Sequence, residues 1–305
     1  MIPVLDHAAA RAGDGAAFTA GLSAACRETG FFLLTGHGVD PALTAAVFGQ
    51  AAALFALPQA RKEAVGIHLS PHNRGYVALG AERLDDTTGQ VDRKEAFNIG
   101  LDLPPDHPDV AAGKPFRGVN LWPDLPGFRD TTLSYFNAAW ALGVDLHRAI
   151  ARDLGIPEGH FAPEFTAPMA TLRLLRYPAS AGGAQEIGAG AHTDYGSLTL
   201  LATDGTAGLQ VRPRGQDWVD VPHVPGAFVV NIGDCLMRWT NDIYVSTPHR
   251  VLPPARERYS LAFFLDPNPE TEIAALPGTG APKYPAIRAA DYLAARLAAT
   301  YDKKG

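Results

Sequence analysis

The spacing of apolar residues changes near residue 170. Before this point, apolar residues recur every three or four positions over about 15–29 and over about 133–154, which predicts two amphipathic helices. The Asp40-Pro41 pair predicts the start of another helix, because an aspartate cap followed by proline suits a first turn, and Pro58 ends it. The short apolar run Phe31–Thr35 predicts a buried strand.

Beyond residue 170 the pattern is typical of β structure. Short apolar runs alternate with turns rich in Gly, Pro and Asp about every eight to twelve residues. The predicted strands are Thr171–Tyr177, Ser197–Ala202, Leu209–Arg212, Trp218–Val221, Ala227–Ile232, His249–Leu252 and Tyr259–Leu265. A last helix is predicted at Ala289–Tyr301. We therefore expect an α+β protein with a mainly β core, a double-stranded β-helix (jelly roll) flanked by helices.

These patterns divide the chain into four regions. They are an N-terminal helical and mixed region at 1–125, a long buttressing helix with its connector at 126–170, the jelly-roll core at 171–270 and a C-terminal helix at 271–305. We expect one compact unit, since no repeat or low-complexity linker separates the regions. The segment from Gly66 to Asp124 is rich in Gly, Pro and Asp. It predicts loops with short strands near Tyr76 and at Glu95–Ile99, and it is our candidate for a lid.

Composition narrows the range of partners. The 305 residues include 26 Lys and Arg against 32 Asp and Glu, a net charge of −6, and no basic block. This balance argues against a nucleic-acid or anionic-membrane partner and favours a small molecule. Only two cysteines are present, Cys26 and Cys235, which cannot form a disulfide framework. With no signal-peptide pattern and only strand-sized apolar runs, we expect a cytoplasmic protein; the sequence indicates no oligomeric state.

Three residues form a candidate metal site. His192 and Asp194 are two positions apart on an extended segment, so both side chains can address one point in space. His249 follows 57 residues later at the start of a predicted strand, which a jelly roll can place opposite the first pair. Two imidazoles and one carboxylate suit a non-heme Fe(II) oxygenase, and zinc accepts the same ligand types. A second His-x-Asp pair, His107 and Asp109, lies in a proline-rich loop and is interpreted as exposed surface.

A second cluster follows nine residues after His249. Arg258 and Ser260 share one face of a strand that is otherwise apolar. A guanidinium inside an apolar barrel is costly unless an anion pairs with it, and a guanidinium with a hydroxyl suits one carboxylate. That carboxylate is either a protein Asp or Glu, which would make a buried salt bridge, or part of a cosubstrate. The position of this pair, shortly after the candidate metal ligand His249 in the sequence, favours the cosubstrate.

With these motifs, nearly the whole chain resembles the isopenicillin N synthase-like branch of the Fe(II)/2-oxoglutarate-dependent oxygenases, and we expect a bacterial member of it. The matching segments are Ile2–Asp6, Gly30–Phe32, Gly36–Val39, Phe55–Pro58 with Lys62, Arg74–Tyr76, Lys94–Phe97, Arg176–Pro178, His192–Asp194, Asn231–Asp234, Thr240–Asn241, Ser246–Arg250 and Arg258–Ser260. The resemblance implies an enzyme that uses Fe(II), 2-oxoglutarate and O2 to oxidise a small molecule, releasing succinate and CO2.

The resemblance also implies roles for individual residues. It assigns His192, Asp194 and His249 as the iron ligands. It assigns Arg258 and Ser260 to the distal carboxylate of 2-oxoglutarate, which Tyr177, just before Pro178, would also contact. The candidate substrate contacts at the mouth of the barrel are Asn73, Arg74, Arg173, Tyr195, Arg238 and Phe264.

One departure from the family pattern affects the cosubstrate pocket. Many plant members have an asparagine two residues before the family tyrosine, where this chain has Leu175. Isopenicillin N synthase and the ethylene-forming aminocyclopropane oxidase keep the Arg-x-Ser pair without consuming 2-oxoglutarate, so an oxidase of that kind is one alternative. A zinc-dependent hydrolase and a non-catalytic binding protein are the others. The sequence does not specify the prime substrate or whether its oxidation is a hydroxylation.

Overall fold

Strands from both halves of the chain build one large sheet. The computed structural model describes residues 2–12, 15–84, 91–180 and 186–301. The strands are β1 (Val4–Asp6), β2 (Phe31–Thr35), β3 (Gly75–Val77), β4 (Glu95–Gly100), β5 (Thr171–Tyr177), β6 (Ala189–His192), β7 (Leu198–Thr203), β8 (Leu209–Val211), β9 (Val219–Asp220), β10 (Phe228–Ile232), β11 (His249–Val251), β12 (Arg258–Leu265), β13 (Glu272–Ile273) and β14 (Ile287–Arg288).

The helices flank these strands. They are α1 (His7–Arg11), α2 (Gly15–Glu28), α3 (Pro41–Phe55), α4 (Gln59–Glu63), α5 (Pro108–Ala111), α6 (Phe128–Asp153), α7 (Asp234–Trp239) and α8 (Ala289–Tyr301), with short 3-10 helices at Ile67–Leu69 and Ala162–Phe165. The predicted bounds of β2, β5 and α8 are confirmed. Asp40 caps α3 as predicted, since its side chain accepts a hydrogen bond from the backbone N–H of Ala42.

Two sheets face each other as the jelly-roll prediction requires. Within the described residues, the large sheet has the order β1-β2-β10-β7-β12-β5-β4-β3, and the smaller one the order β6-β11-β8-β9. All neighbours in both sheets are antiparallel except β1 and β2. The predicted jelly-roll core flanked by helices is therefore confirmed.

The alternation of side chains gives the large sheet two different faces. On β5, Leu172 and Leu174 belong to the core that packs under the helices, where α6 lies against α2 and α3. The intervening Arg173 and Leu175 point the other way and line a cavity between the two sheets. This face carries the polar side chains of the candidate site.

The N-terminal region supplies part of the sheet itself. β1, β2, β3 and β4 make four of its eight strands in the described chain, and β4 is buried along its whole length beside β5. The predicted lid from Gly66 to Asp124 therefore cannot move as one unit, because its two strands are fixed by sheet hydrogen bonds. Residues 85–90 of that segment lie outside the described residues. None of the described helices has the length and apolar character needed to cross a membrane.

Candidate metal centre

Strand pairing brings the three predicted ligands together. His192 ends β6, His249 begins β11, and the two residues are direct partners in the antiparallel register. Their rings lie 4.3 Å apart between centroids. Asp194 Oδ1 is 3.9 Å from His192 Nε2 and 3.6 Å from His249 Nε2. In the part of the chain that the structure describes, this is the one group of three such side chains whose donor atoms, all within 4.8 Å of one another, could hold a metal ion.

Hydrogen bonds turn one donor atom of each side chain toward the same point. His192 Nδ1 lies 2.7 Å from the carbonyl oxygen of Gly190, and His249 Nδ1 lies 3.3 Å from that of Thr247. A carbonyl only accepts, so each Nδ1 carries a proton, and in the neutral ring Nε2 then holds the lone pair that can bind a metal.

The carboxylate of Asp194 is oriented in the same way. Its Oδ2 accepts hydrogen bonds from Thr199 Oγ1 at 2.5 Å and from Asn231 Nδ2 at 2.7 Å, which leaves Oδ1 for a metal. Two imidazole nitrogens and one carboxylate oxygen are a suitable donor set for a divalent transition metal.

Electrostatics keep two of the candidate ligands, His192 and Asp194, in the protonation states that bind metal. Burial, together with repulsion from His249, lowers the pKa of His192 to about 3, so its ring is neutral at neutral pH. Burial alone would raise the pKa of Asp194. The attraction of the two imidazoles and the hydrogen bonds from Asn231 and Thr199 outweigh burial and hold that pKa below its ordinary value.

Backbone hydrogen bonds that the sequence did not predict fix the turn after His192. We name residues 193–197 the ligand loop. The backbone N–H of Asp234, the first residue of α7, donates to the carbonyl of Asp194 at 2.7 Å, and Cys235 donates to Tyr195 at 3.1 Å. Gly233 lies so close that a Cβ there would be 2.1 Å from the carbonyl oxygen of Gly196. The start of α7 therefore fixes the path of the loop that carries the carboxylate ligand.

Arg258 lies at the start of β12 and is 1% exposed. Its Nη1 is 3.4 Å from Ser260 Oγ, its Nε donates to the carbonyl of Thr206 at 3.2 Å, and its guanidinium lies 4.8 Å from the centroid of the Tyr177 ring. Among the described residues, no Asp or Glu oxygen lies within 4.0 Å of this guanidinium. The alternative of a buried salt bridge to a protein carboxylate is thus not found in the described part of the chain.

A cavity of about 180 Å³ joins the candidate metal ligands to Arg258. Of the predicted substrate contacts, five line it: Asn73, Arg74, Arg173, Tyr195 and Phe264. Arg238 does not line this cavity. It lies on α7, donates to the carbonyl of Pro285 at 2.5 Å and packs over the rings of Tyr284 and Tyr292. Leu175, the departure from the family pattern, lines the cavity.

Three residues that orient the site were not predicted from the sequence: Thr199, Asn231 and Gly233. Thr199 and Asn231 are polar residues inside the otherwise apolar runs LTLL and FVVNI. A polar residue on the inward face of a buried strand needs a hydrogen-bond partner, and this signal could have identified both. Gly233 gives no comparable signal, because its role depends on a distant backbone carbonyl.

Comparisons with known proteins match both halves of the chain. Residues 2–125 match a family model described as non-haem dioxygenase in morphine synthesis N-terminal, and residues 168–267 match the 2OG-Fe(II) oxygenase superfamily. A curated relative, 2-oxoglutarate-Fe(II) type oxidoreductase hxnY of Emericella nidulans, is 37% identical over 99% of this chain and 90% of its own. Kihadalactone A synthase of Citrus sinensis is 36% identical over 90% of this chain and 86% of its own.

Solved structures agree with these matches. Neurospora crassa T7H in complex with alpha-KG superposes with a TM-score of 0.87 at 35% identity, covering 98% of this chain and 96% of that one. A 2OG-Fe(II) oxygenase family protein from Caulobacter crescentus gives a TM-score of 0.87 at 32% identity, covering 97% and 98%. This chain therefore belongs to the 2OG-Fe(II) oxygenase superfamily and is a 2-oxoglutarate-dependent dioxygenase, which uses Fe(II) and O2 to oxidise its substrate with release of succinate and CO2.

Proposed function

We propose that His192, Asp194 and His249 bind the Fe(II). The observation that carries this assignment is the convergence of two Nε2 atoms and one Oδ1 within 4.8 Å of one another, each oriented by a hydrogen bond on its other polar atom. Three protein ligands leave coordination positions for a cosubstrate, as non-heme Fe(II) oxygenases require. Metal binding takes imidazoles in their neutral form and the carboxylate in its ionised form, so the bound ligand set would carry a charge of −1, which complements a dication.

The distal carboxylate of 2-oxoglutarate is proposed to bind to Arg258, Ser260 and Tyr177. The buried guanidinium lacks a protein carboxylate in the described residues, and Ser260 adds a hydroxyl donor on the same strand face. Tyr177 is the direct partner of Arg258 in the β5–β12 register, so its ring supports the guanidinium from the neighbouring strand. Leu175 presents no hydrogen-bond donor on this face and gives the cosubstrate chain an apolar contact.

The protein's own residues contribute binding, orientation and exclusion of water. When bound, Fe(II) with 2-oxoglutarate and O2 supplies the oxidising chemistry, in which decarboxylation to succinate and CO2 is coupled to oxidation of the substrate. Arg258 and Ser260 hold one end of the cosubstrate, while Thr199 and Asn231 keep the Asp194 carboxylate in position. The apolar cavity wall, including Leu201 and Ala262, keeps bulk water from the reacting atoms.

Hydroxylation of a small molecule is the proposed reaction. Four residues that line the cavity are proposed to contact the substrate: Arg74, Arg173, Tyr195 and Phe264. Arg238 is not part of this proposal, because its contacts lie outside the cavity. Family membership supports the oxygenase over the zinc-dependent hydrolase and the non-catalytic protein. The relatives named as 2-oxoglutarate enzymes favour it over the oxidase that does not consume 2-oxoglutarate.

The narrower assignments are proposed as well. The chain is a bacterial member of the isopenicillin N synthase-like branch, which the motifs across the chain and the resemblance to the Caulobacter crescentus protein support. Its organisation follows the four regions 1–125, 126–170, 171–270 and 271–305, which fold as one unit. A cytoplasmic location is supported by Cys26 and Cys235, which are both buried and unpaired.

Binding of 2-oxoglutarate to the Mn(II)-loaded protein tests the cosubstrate assignment. Arg258→Met should weaken this binding by about ten- to a hundredfold, because a charge-assisted pair is lost. Arg256→Met is the matched control, since Arg256 is exposed only two residues away, and it should bind as wild type does. Equal affinities for wild type and Arg258→Met would remove Arg258 from the cosubstrate site. His249→Ala should abolish stoichiometric Mn(II) binding, and unchanged binding would remove His249 from the ligand set.

A further inference from the structure

A second buried guanidinium in the same cavity has no partner carboxylate in the part of the chain that the structure describes. Arginines that are almost fully buried in the described chain are Arg74, Arg117 and Arg258. Arg117 donates to the carbonyl of Ala167 at 2.5 Å and has carboxylates of Asp109 and Glu270 at 3.9 and 4.0 Å. Arg74, by contrast, has no carboxylate oxygen within 4.0 Å among the described residues.

The polar contacts of Arg74 are few. The side chain is 2% exposed and lies against the backbone of Gly100, where a Cβ would meet its guanidinium carbon at 1.8 Å. Its Nη1 reaches Thr171 Oγ1 only at 3.5 Å, and its Nε has no hydrogen-bond partner. Burial and the nearby Arg117 lower the pKa of Arg74 to about 10, so it still carries a full charge at neutral pH. A buried charge of this kind is costly until an anion pairs with it.

Arg74 and Arg258 lie beside opposite ends of the paired strands β5 and β12. Arg258 pairs with Tyr177 across β12 and β5, whereas Arg74 contacts Thr171, which pairs with Phe264 six residues farther along β12. Six residues of strand span about 20 Å. A cosubstrate as short as 2-oxoglutarate, held by Arg258, does not reach Arg74, so a second anion is needed at this end.

The other charged groups that the structure describes around this end are already neutralised. Glu82 pairs with Arg173 at 2.5 Å and with Lys94 at 3.6 Å, and Asp92 pairs with Lys94 at 2.5 Å. Asp266 also lines the cavity, where burial and the charge of Asp194 raise its pKa to about 7, so at neutral pH it carries only part of a charge. Among the described residues, the uncompensated positive charge at this end is therefore that of Arg74.

We infer that the prime substrate is a monocarboxylic acid whose carboxylate binds Arg74 and whose body is apolar. A planar guanidinium binds a carboxylate through two parallel hydrogen bonds, and one unpaired cation matches one negative charge. The cavity wall beside Arg74 supplies the apolar contacts from Phe116, Met169 and Phe264. This inference rests on the proposed function, because it assumes that Arg258 is occupied by 2-oxoglutarate.

Benzoate and benzamide are suitable probes, because they share shape and differ in charge. Each is titrated calorimetrically into anaerobic protein that is saturated with Mn(II) and 2-oxoglutarate, so that the carboxylate cannot bind at Arg258. We expect benzoate to bind wild type at least about tenfold more tightly than benzamide. Arg74→Met should weaken benzoate binding by about ten- to a hundredfold. Arg148→Met, which removes an exposed arginine on α6, should bind benzoate as wild type does.

The outcomes separate this inference from the proposed function. Any of three results would overturn the role of Arg74. They are equal affinities of wild type for benzoate and benzamide, no benzoate binding to wild type, and equal benzoate affinities of wild type and Arg74→Met. The comparison of benzoate with benzamide on wild type does not depend on the folding of any variant. The proposed function is tested separately, by titrating the Mn(II)-loaded wild type with 2-oxoglutarate before either probe is added. Failure of the proposed function would appear as a lack of 2-oxoglutarate binding in that titration, whereas the comparison of the two probes tests Arg74.

Discussion

Gly233→Ala tests whether the start of α7 fixes the metal ligands. Gly233 has φ of −96° and ψ of 171°, an extended conformation that alanine adopts without strain. The added Cβ would nevertheless lie 2.1 Å from the carbonyl oxygen of Gly196 and 3.1 Å from that of Asp194. Since ordinary contacts of this kind begin near 3.4 Å, the ligand loop or α7 must move by about 1 Å.

A shift of this size should damage metal binding more than folding. Overpacking of this kind costs about 1–3 kcal/mol of unfolding free energy, which a domain of ordinary stability survives. Displacing a metal ligand or the groups that orient it lowers metal affinity by about ten- to a hundredfold. We therefore expect Gly233→Ala to fold and to bind Mn(II) about ten- to a hundredfold more weakly in an anaerobic calorimetric titration.

Gly49→Ala is the matched control. Gly49 lies in the exposed interior of α3, and a Cβ there would have no atom within 4 Å. Alanine favours helix over glycine, so the control should raise the unfolding free energy by about 0.5–1 kcal/mol and leave the Mn(II) titration unchanged. Wild-type Mn(II) affinity in folded Gly233→Ala would refute the conclusion that this contact fixes the ligand loop.

Other side chains give three simpler tests. Asn231→Ala removes a hydrogen bond to Asp194 and should weaken Mn(II) binding by about tenfold or more, measured by the same titration; unchanged affinity would contradict an orienting role. Burial lowers the pKa of His147 from 6.5 to about 4, so the unfolded chain binds that proton first as the pH falls. The unfolding free energy should then drop by about 3 kcal/mol between pH 6.5 and 4, and denaturant titrations of His147→Gln should lack this component. Burial raises the pKa of both Cys26 and Cys235, so neither should react with a thiol reagent until the chain unfolds, and rapid native labelling would contradict their burial.

The elements that the sequence predicted well are those whose pattern is local. β5 was predicted with its observed bounds, because its apolar positions and flanking turn residues identify it without reference to other strands. β6 was not predicted as a strand, since its residues Ala189–His192 (AGAH) contain no run of large apolar side chains. Its pairing with β11 depends on contacts with residues about 60 positions away, which no local pattern records.

The same distinction explains the result for the candidate site. The i, i+2 spacing predicted that His192 and Asp194 address one point, and the structure brings them and His249 together, although Asp194 lies in the ligand loop after the end of β6. Arg238 was included among the substrate candidates because α7 was not recognised. In the structure the helix directs this arginine toward Tyr284 and Tyr292. The direction in which a residue on a short helix points depends on how the helix packs in the tertiary structure, so sequence spacing alone does not determine it.

The two parts of the site belong to opposite sheets, and this arrangement gives the packing between them a functional role. His192 and His249 are partners in the smaller sheet, whereas Arg258 and Ser260 lie on β12 of the large sheet. The distance between the proposed metal ligands and the proposed cosubstrate residues therefore depends on the side chains between the sheets, such as the fully buried Val211. Protein interiors are close-packed and transmit changes in volume, so this apolar layer sets the geometry of a reaction that its own side chains do not perform.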